Sequence, residues 1–437
     1  MSGAGPVDAT VRVPGSKSLS NRHLVLAALA SGESSLGNLL ACDDCDRLVA
    51  ALRGFGLSIR EDGGRTLVAG GGCGLPRGAR VDLGEGGTPT RFAIALATVA
   101  AGESQVDAGK RMRERPVAEG VEILRALGGD IDFLGAGSGL PVRVRGGRLR
   151  GGRVEIGRTA SSQSISAALL VAPVTERGVE IVFREPPTSA SYLELTVAAL
   201  RAWGVEVAFD SGRRISIAPQ PLAARTITIE PDASSAVFPA AAAVLAGGRV
   251  RIPGLPLDSR QPDLGFLRLL RNHGATVTDD GEGGLVVASG GGVRSMRADL
   301  AEAPDAAVMA MVLAAQADGP SEFTGLETLR VKESDRIEAV VAGLRALGGA
   351  VETGRDRVRI HPLPATTRGA RIDPRDDHRV AMAFAVLGLV RPGIGLDRPG
   401  CVAKSWPGFF EALSTLDRSR SGGDLPRGAT SRENPAA

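Results

Sequence analysis

The sequence predicts an α/β fold assembled from six small units of one kind. Two repeating patterns carry this expectation, together with 437 residues at 43% apolar content, enough for two or three domains with full cores. The first pattern occurs five times: Leu52–Ile59 (LRGFGLSI), Leu124–Ile131 (LRALGGDI), Leu200–Val207 (LRAWGVEV), Leu270–Val277 (LRNHGATV) and Leu344–Val351 (LRALGGAV). Successive starts lie 70 to 76 residues apart by subtraction, the size of one α/β unit and not of a short solenoid repeat. Each reads as a helix end, a glycine in the C′ position, and then an alternating strand.

The second pattern is a series of alanine-rich helices. They are expected after Ser20 (NRHLVLAALA), Thr88 (PTRFAIALATVAA), Ser161 (SQSISAALLVA), Asp232 (ASSAVFPAAAAVLA), Asp305 (AAVMAMVLAA) and Asp377 (HRVAMAFAVLGLV). Small apolar residues on every side mark helices buried inside their units. Six of these against five of the first pattern give six units, the last truncated at its C-terminal end. A buried helix start carries unpaired N–H groups and a partial positive charge. Lys17, Arg22, Arg91 and Arg379 stand beside these starts, so convergence of several would make an anion site. Six separately capped helices are the plainer alternative.

The first such start, VRVPGSKSLSNRHLVLAALASGE, gathers Lys17 and Arg22 among Gly15 and three serines. It is not a P-loop, because Ser16 separates Gly15 from Lys17. Ser18 or Ser20 would serve as an ordinary N-cap. Next come Cys42 and Cys45, a C-x-x-C with neither a second pair nor histidines at zinc-ligand spacing, read as ordinary reduced thiols. Asp43 and Asp44 beside them read as loop acids. At the far end, residues 418–437 (RSRSGGDLPRGATSRENPAA) read as a disordered tail.

Composition narrows the function. With 52 basic and 49 acidic residues the net charge is +3, too slight to point to nucleic acid, and 11 Phe, 2 Trp and 1 Tyr offer few stacking platforms. Charges interrupt the aliphatic runs well short of the roughly 20 residues of a membrane span. The N-terminus has no apolar signal core, so a cytoplasmic enzyme is expected. Only four histidines are present, which disfavours a metal site.

Eight motifs then fall in an order that resembles one family. These are PGSKSLSNR (Pro14–Arg22), GTPTR (Gly87–Arg91), RMRERP (Arg111–Pro116), SSQ (Ser161–Gln163), PDAA (Pro304–Ala307), RVKESDR (Arg330–Arg336), DHR (Asp377–Arg379) and AKSWP (Ala403–Pro407). Over about Thr10 to Leu416 the chain is similar to the 5-enolpyruvylshikimate-3-phosphate synthases. That resemblance implies an enolpyruvyl transferase fold: two globular domains of three βαβαββ units each, with helix N-termini facing the cleft between them. With three units in each half, the chain is expected to form one domain from residues 1–15 plus 230–417 and the other from 16–229.

The implied reaction transfers the enolpyruvyl group of phosphoenolpyruvate (PEP) to the 5-hydroxyl of shikimate 3-phosphate and releases phosphate. It lies in the shikimate pathway to chorismate and the aromatic amino acids, and glyphosate competes with PEP in sensitive members. By the same resemblance, Lys17 contacts both substrates, and Ser18 and Arg22 hold the shikimate carboxylate. Ser161, Ser162 and Ser189 bind its 3-phosphate, Tyr192 packs near the ring, and Gln163 lies between the substrates. Gly87, Arg115, Arg336, Arg379 and Lys404 surround PEP, with His378 close by. Asp305 and Lys332 face the reacting hydroxyl, and Glu333 is the proton-transfer candidate. No metal, cofactor, nucleic acid or membrane partner is implied, and a monomer is expected.

The chemistry asks for these residue types independently. Two substrates that each carry a carboxylate and a phosphate need several cations against their mutual repulsion. Addition delivers a proton to the methylene carbon while the hydroxyl loses one, and elimination reverses the traffic. Asp305 and Glu333, flanked by Lys332 and Lys17, can do both.

Three positions depart from the family pattern. Glu85 begins a Glu-Gly-Gly-Thr loop that often reads Asn-Ala-Gly-Thr, Ala190 stands where many members have lysine, and Thr328 replaces an asparagine. A Glu85 carboxylate facing the site would oppose the incoming phosphate, so that Glu85→Gln would tighten PEP binding. Weaker binding would mean that Glu85 holds an arginine in place. The related UDP-N-acetylglucosamine enolpyruvyl transferase is the nearest rival, but the Ser161-Ser162-Gln163 site argues against it, as does the lack of a cysteine after Gly87 in its loop. A non-catalytic anion-binding repeat protein would have no use for Asp305, Lys332 and Glu333 together.

Overall fold

A short strand, a buried helix and a second strand parallel to the first make the opening half of each repeat. In the computed structural model, which describes residues 5–420 apart from positions 136, 160, 211, 367 and 368, one unit shows the plan. Arg80–Asp82 leads into helix Gly87–Thr98, and Gly102–Asp107 returns parallel to it, with Arg80 opposite Gln105. An outer helix, Ala118–Ala126, then feeds an antiparallel pair, Asp130–Phe133 and Val142–Gly146. The last strand lies against the second, so the sheet order is first, second, fourth, third. Five four-stranded sheets of this kind are described.

We number the six inner helices α1 (Lys17–Leu29), α2 (Gly87–Thr98), α3 (Ser162–Val171), α4 (Ala233–Ala246), α5 (Ala307–Ala314) and α6 (His378–Gly388). All eight residues of α5 are buried, as an all-round apolar sequence requires. The outer helices are amphipathic instead. Leu264–Asn272 buries Leu264, Phe266, Leu267, Leu269 and Leu270 and leaves its polar side to water. The glycine that closes each outer helix, Gly56, Gly128, Gly204, Gly274 or Gly348, has φ between +80° and +99°. A Cβ would strain that left-handed turn, so the recurring glycine follows from the backbone.

Several helix starts differ from expectation. Ser16, not Ser18 or Ser20, caps α1, its side chain accepting from Leu19 N, while Ser20 Oγ accepts from Leu40 N. Gly86 precedes α2, which leaves Thr88 inside the helix. Ala306 is the residue before α5, and Asp305 is thereby free to bind other groups. Ser161, Asp232 and Asp377 do cap α3, α4 and α6. The sixth unit has only the parallel pair Ala370–Ile372 and Ile394–Leu396. In place of a hairpin it continues into helix Phe409–Arg420, so the chain stays helical three residues into the expected tail; 421–437 lie outside the described residues.

Two units borrow a strand. Asp8–Thr10 lies parallel to Arg249–Ile252, the strand after α4, with Asp8 opposite Arg249. Thr226–Thr228 lies parallel to Ser31–Gly37, the strand after α1. The two crossing segments run side by side: Ser16 N donates to Glu230 O and Asp232 N to Pro14 O, both at 2.8 Å. Gly15 sits between them, where a Cβ would lie 1.9 Å from Asn38 O, so no larger residue fits. One core joins Val7, Val11 and Val13 to side chains between Ala233 and Leu416, and a second runs from Leu24 to Leu222. The inner helices thus form two triplets whose starts face one cleft. No described helix is long and apolar enough to cross a membrane.

Candidate active site

Lys17, the first residue of α1, sets one side of the cleft. Its Nζ lies 3.0 Å from Asp44 Oδ2. Burial works against its charge, but Asp44 and Glu333 outweigh burial and hold Lys17 above its ordinary value. Contrary to the expectation of a loop acid, Asp44 lies in the first turn of helix Asp43–Gly54, 2% exposed, and points at α1. Its only sequence signal was an acid-rich helix start, which usually faces water. Cys42 and Cys45 beside it are free, buried thiols.

Two arginines are buried without an acid among their hydrogen-bond partners. Arg22 donates to Thr196 Oγ1 (2.9 Å), Ser18 O (3.0 Å), Tyr192 O (3.2 Å) and Ser166 Oγ (3.3 Å), and burial lowers it to about 10. Arg91 donates to Gly87 O, Gln163 Oε1 and Pro116 O, and burial together with Arg115 lowers it to about 9. Buried cations are costly unless paired, so Arg22 awaits an anion from outside the chain, whereas the charge of Arg91 is partly offset by Glu119. Ser161 caps α3 through Gln163 N, which leaves its hydroxyl proton free to donate. Ser162 follows at the helix start, and Ser189 is held at φ +52° beside them.

The opposite wall is a chain of ion pairs. Arg336, 1% exposed, reaches Asp305 Oδ1 (2.8 Å), Glu333 Oε2 (2.9 Å) and Asp377 Oδ2 (2.8 Å). Arg379 lies 2.9 Å from Asp305 Oδ2, Lys332 3.6 Å from Asp305 Oδ1, and Lys404 3.8 Å from Glu333 Oε1. Burial would raise both carboxyls, but Arg379, Lys332 and Arg336 hold Asp305 well below its usual range, and Arg336, Lys404 and Arg115 do the same for Glu333. Burial pulls Lys332 below its ordinary value. His378 is fully buried and held neutral by burial and by Lys17, and neither ring nitrogen has a hydrogen-bond partner among the described residues, Asp377 Oδ1 lying 3.9 Å from Nδ1. Tyr192 crosses the cleft, its hydroxyl 3.4 Å from Asp305 and 3.5 Å from Asp263.

These groups enclose a cavity of about 70 Å³, against the ~300–1,000 Å³ of ordinary small-molecule sites. Lys17, Ser18, Arg22, Gly87, Arg115, Ser161, Ser162, Gln163, Ser189, Tyr192, Asp305, Lys332 and Glu333 line it directly. Arg336, Arg379 and Lys404 stand behind that lining, turned onto carboxylates, and His378 lies outside it as well. Thr328, one of the departures, also lines it with a buried, unpartnered hydroxyl. Glu85 does not face the cavity. Its Oε2 accepts from Met112 N at 2.9 Å, so the expected repulsion of an incoming phosphate is absent from this geometry.

Two repeat-built globules that meet at converging helix starts, with several buried cations on one wall, Arg22 among them without an acidic partner, and a carboxylate pair on the other, define a transferase for small, multiply anionic molecules. The profile of EPSP synthase (3-phosphoshikimate 1-carboxyvinyltransferase) matches residues 1–413, and the chain belongs to that family. A 3-phosphoshikimate 1-carboxyvinyltransferase of Methanosphaerula palustris is 37% identical over 414 residues, covering 94% of this chain and 97% of the relative. One of Syntrophobacter fumaroxidans is 39% identical over 418 residues, with the same coverage. An EPSP synthase structure from Acinetobacter baumannii superposes with a TM-score of 0.79 at 25% identity, over 94% of this chain and 96% of the other.

Proposed function

We infer that this chain transfers the enolpyruvyl group of PEP to the 5-hydroxyl of shikimate 3-phosphate, giving 5-enolpyruvylshikimate 3-phosphate and phosphate. Membership of the family over nearly the whole chain carries the reading. The alternative sugar-nucleotide acceptor is not favoured. Release of inorganic phosphate on mixing the two substrates tests it; a response to UDP-N-acetylglucosamine in place of shikimate 3-phosphate would overturn it.

The proposed roles follow the family motifs onto the residues that line and back the cavity. Arg22 with Ser18 would take the shikimate carboxylate, and Ser161, Ser162 and Ser189 its 3-phosphate, with Tyr192 against the ring. Gln163, held by Arg91, would lie between the substrates. PEP would sit among Lys17, Arg115, Arg336, Arg379 and Lys404, against Gly87 and near the neutral His378. Asp305 and Lys332 would take the hydroxyl proton as C2 of PEP is attacked, and Glu333 would supply and later recover the methyl proton.

Gly87 admits a specific test. A Cβ there would come within 2.5 Å of Arg115 Nη1, so alanine must push the guanidinium aside. Gly87→Ala is expected to raise the KM for PEP several-fold and to weaken glyphosate, whose chain is longer, by more. Steady-state kinetics with each ligand decide this, and an unchanged KM for PEP would count against Arg115 as a PEP ligand.

The two cores and the strand pairings of Asp8–Thr10 and Thr226–Thr228 support domains of 1–15 plus 230–417 and 16–229; a cytoplasmic monomer is the accompanying proposal. A cavity too small for either substrate implies that the cleft opens to load. Ser191 N to Glu302 Oε2 (2.7 Å) and Arg158 to Glu327 (3.1 Å) are contacts that must break as it does. Small-angle scattering is expected to show a smaller radius of gyration once shikimate 3-phosphate is bound; an unchanged radius would refute closure.

A further inference from the structure

Glu85 carries a carboxylate into the loop before α2, a poor place for one beside a site that binds anions. Its side chain turns away from the cavity and accepts from Met112 N, near the start of the short turn Lys110–Arg113. Arg115 hangs from the end of that turn, its N donating to Met112 O at 3.1 Å. The second carboxylate oxygen occupies space that only glycine leaves: a Cβ on Gly109 would lie 2.1 Å from Oε1. Gly109 N in turn donates to Gly84 O at 2.7 Å, so the two loops are joined by backbone as well. The Glu85 carbonyl accepts from Lys404 Nζ at 3.1 Å, a contact from the opposite globule.

We propose that Glu85 is a positioning residue that fixes Arg115 and Lys404 around one ligand, through Met112 N and its own carbonyl, with Gly109 as the small partner that makes room for it. The proposal rests on the PEP reading above. It reverses the electrostatic expectation, because the charge is spent on a backbone donor and not aimed at the phosphate.

Three variants separate the possibilities. Glu85→Ala is expected to raise the KM for PEP roughly five- to tenfold, the scale of one charge-assisted hydrogen bond partly lost, with the KM for shikimate 3-phosphate within about twofold. Glu85→Gln keeps an acceptor oxygen at nearly the same place and should restore the KM for PEP to within about twofold. Gly109→Ala should reproduce the Glu85→Ala phenotype by displacing Oε1, and should cost little more when added to it. Tighter PEP binding in Glu85→Ala, no change, or an equal rise in both KM values would overturn the proposal. Hydrogen exchange gives a readout that needs no activity: the segment around Met112 should exchange faster in Glu85→Ala and not in Glu85→Gln. If the wild-type chain released no phosphate from the two substrates, the functional reading would fall, while unchanged exchange at Met112 would sink the positioning role alone.

Discussion

Glu333→Gln is expected to lower turnover by roughly two to four orders of magnitude while shikimate 3-phosphate still binds, the range typical of lost proton transfer. In the structure Arg336, Lys404 and Arg115 keep the Glu333 carboxyl ionised against burial. These are the same cations proposed for PEP. Once they turn to the phosphate and carboxylate of PEP, burial prevails and the Glu333 carboxyl rises toward the range where it can carry a proton. PEP binding to the shikimate 3-phosphate complex should therefore take up protons, seen as a dependence of the calorimetric heat on buffer ionisation enthalpy, and Glu333→Gln should abolish the uptake. Asp305→Ala should lose turnover on a similar scale, whereas Ser161→Ala should mainly weaken shikimate 3-phosphate. Near-normal turnover in Glu333→Gln would remove that residue from the mechanism.

Arg336→Met should have the largest effect on stability, about 3–5 kcal/mol, because it strands acids that surround one buried guanidinium. The pH dependence identifies the cause. Asp305 and Glu333 titrate well below their ordinary values when folded. Their pairing therefore stabilises fully above the unfolded carboxyl range near pH 4, and is lost as pH falls through the folded values. The gap between wild type and Arg336→Met should be widest near neutrality and should narrow below about pH 4, as measured by denaturant unfolding. A gap that stays the same size from pH 8 down to about pH 2 would assign the loss to packing.

The repeats were legible because each is a local matter. An all-apolar helix states its own burial, and a C′ glycine states its own φ, so the five glycines and six inner helices could be read without knowing their neighbours. Helix starts were less so. Ser16, Ser18 and Ser20 are equally good caps by type, and only the extended backbone after Pro14 and Gly15 selects the first. Asp44 escaped because its burial depends on α1, and the direction of Glu85 depends on a backbone N–H and a glycine more than 20 residues further on. Arg336, Arg379 and Lys404 were found by motif, but their resting partners, the site's own carboxylates, are a property of the folded cleft alone.

The exchanged strand has a consequence for how the protein is made. Asp8–Thr10 leaves the ribosome long before its partner Arg249–Ile252, which follows 241 residues later by subtraction. At ordinary elongation rates of about 5–20 residues per second, the N-terminal strand waits on the order of 10 to 50 seconds with an open edge. Thr226–Thr228 completes the sheet around Ser31–Gly37 before that, so the middle of the chain can finish folding while both ends are still unpaired. A nascent chain stalled after residue 229 should therefore hold one folded globule and a tethered, unstructured leader. The two halves of the active site come into existence in a fixed order, and the segment from Val7 to Gly15 is the thread that ties the later half to the earlier one.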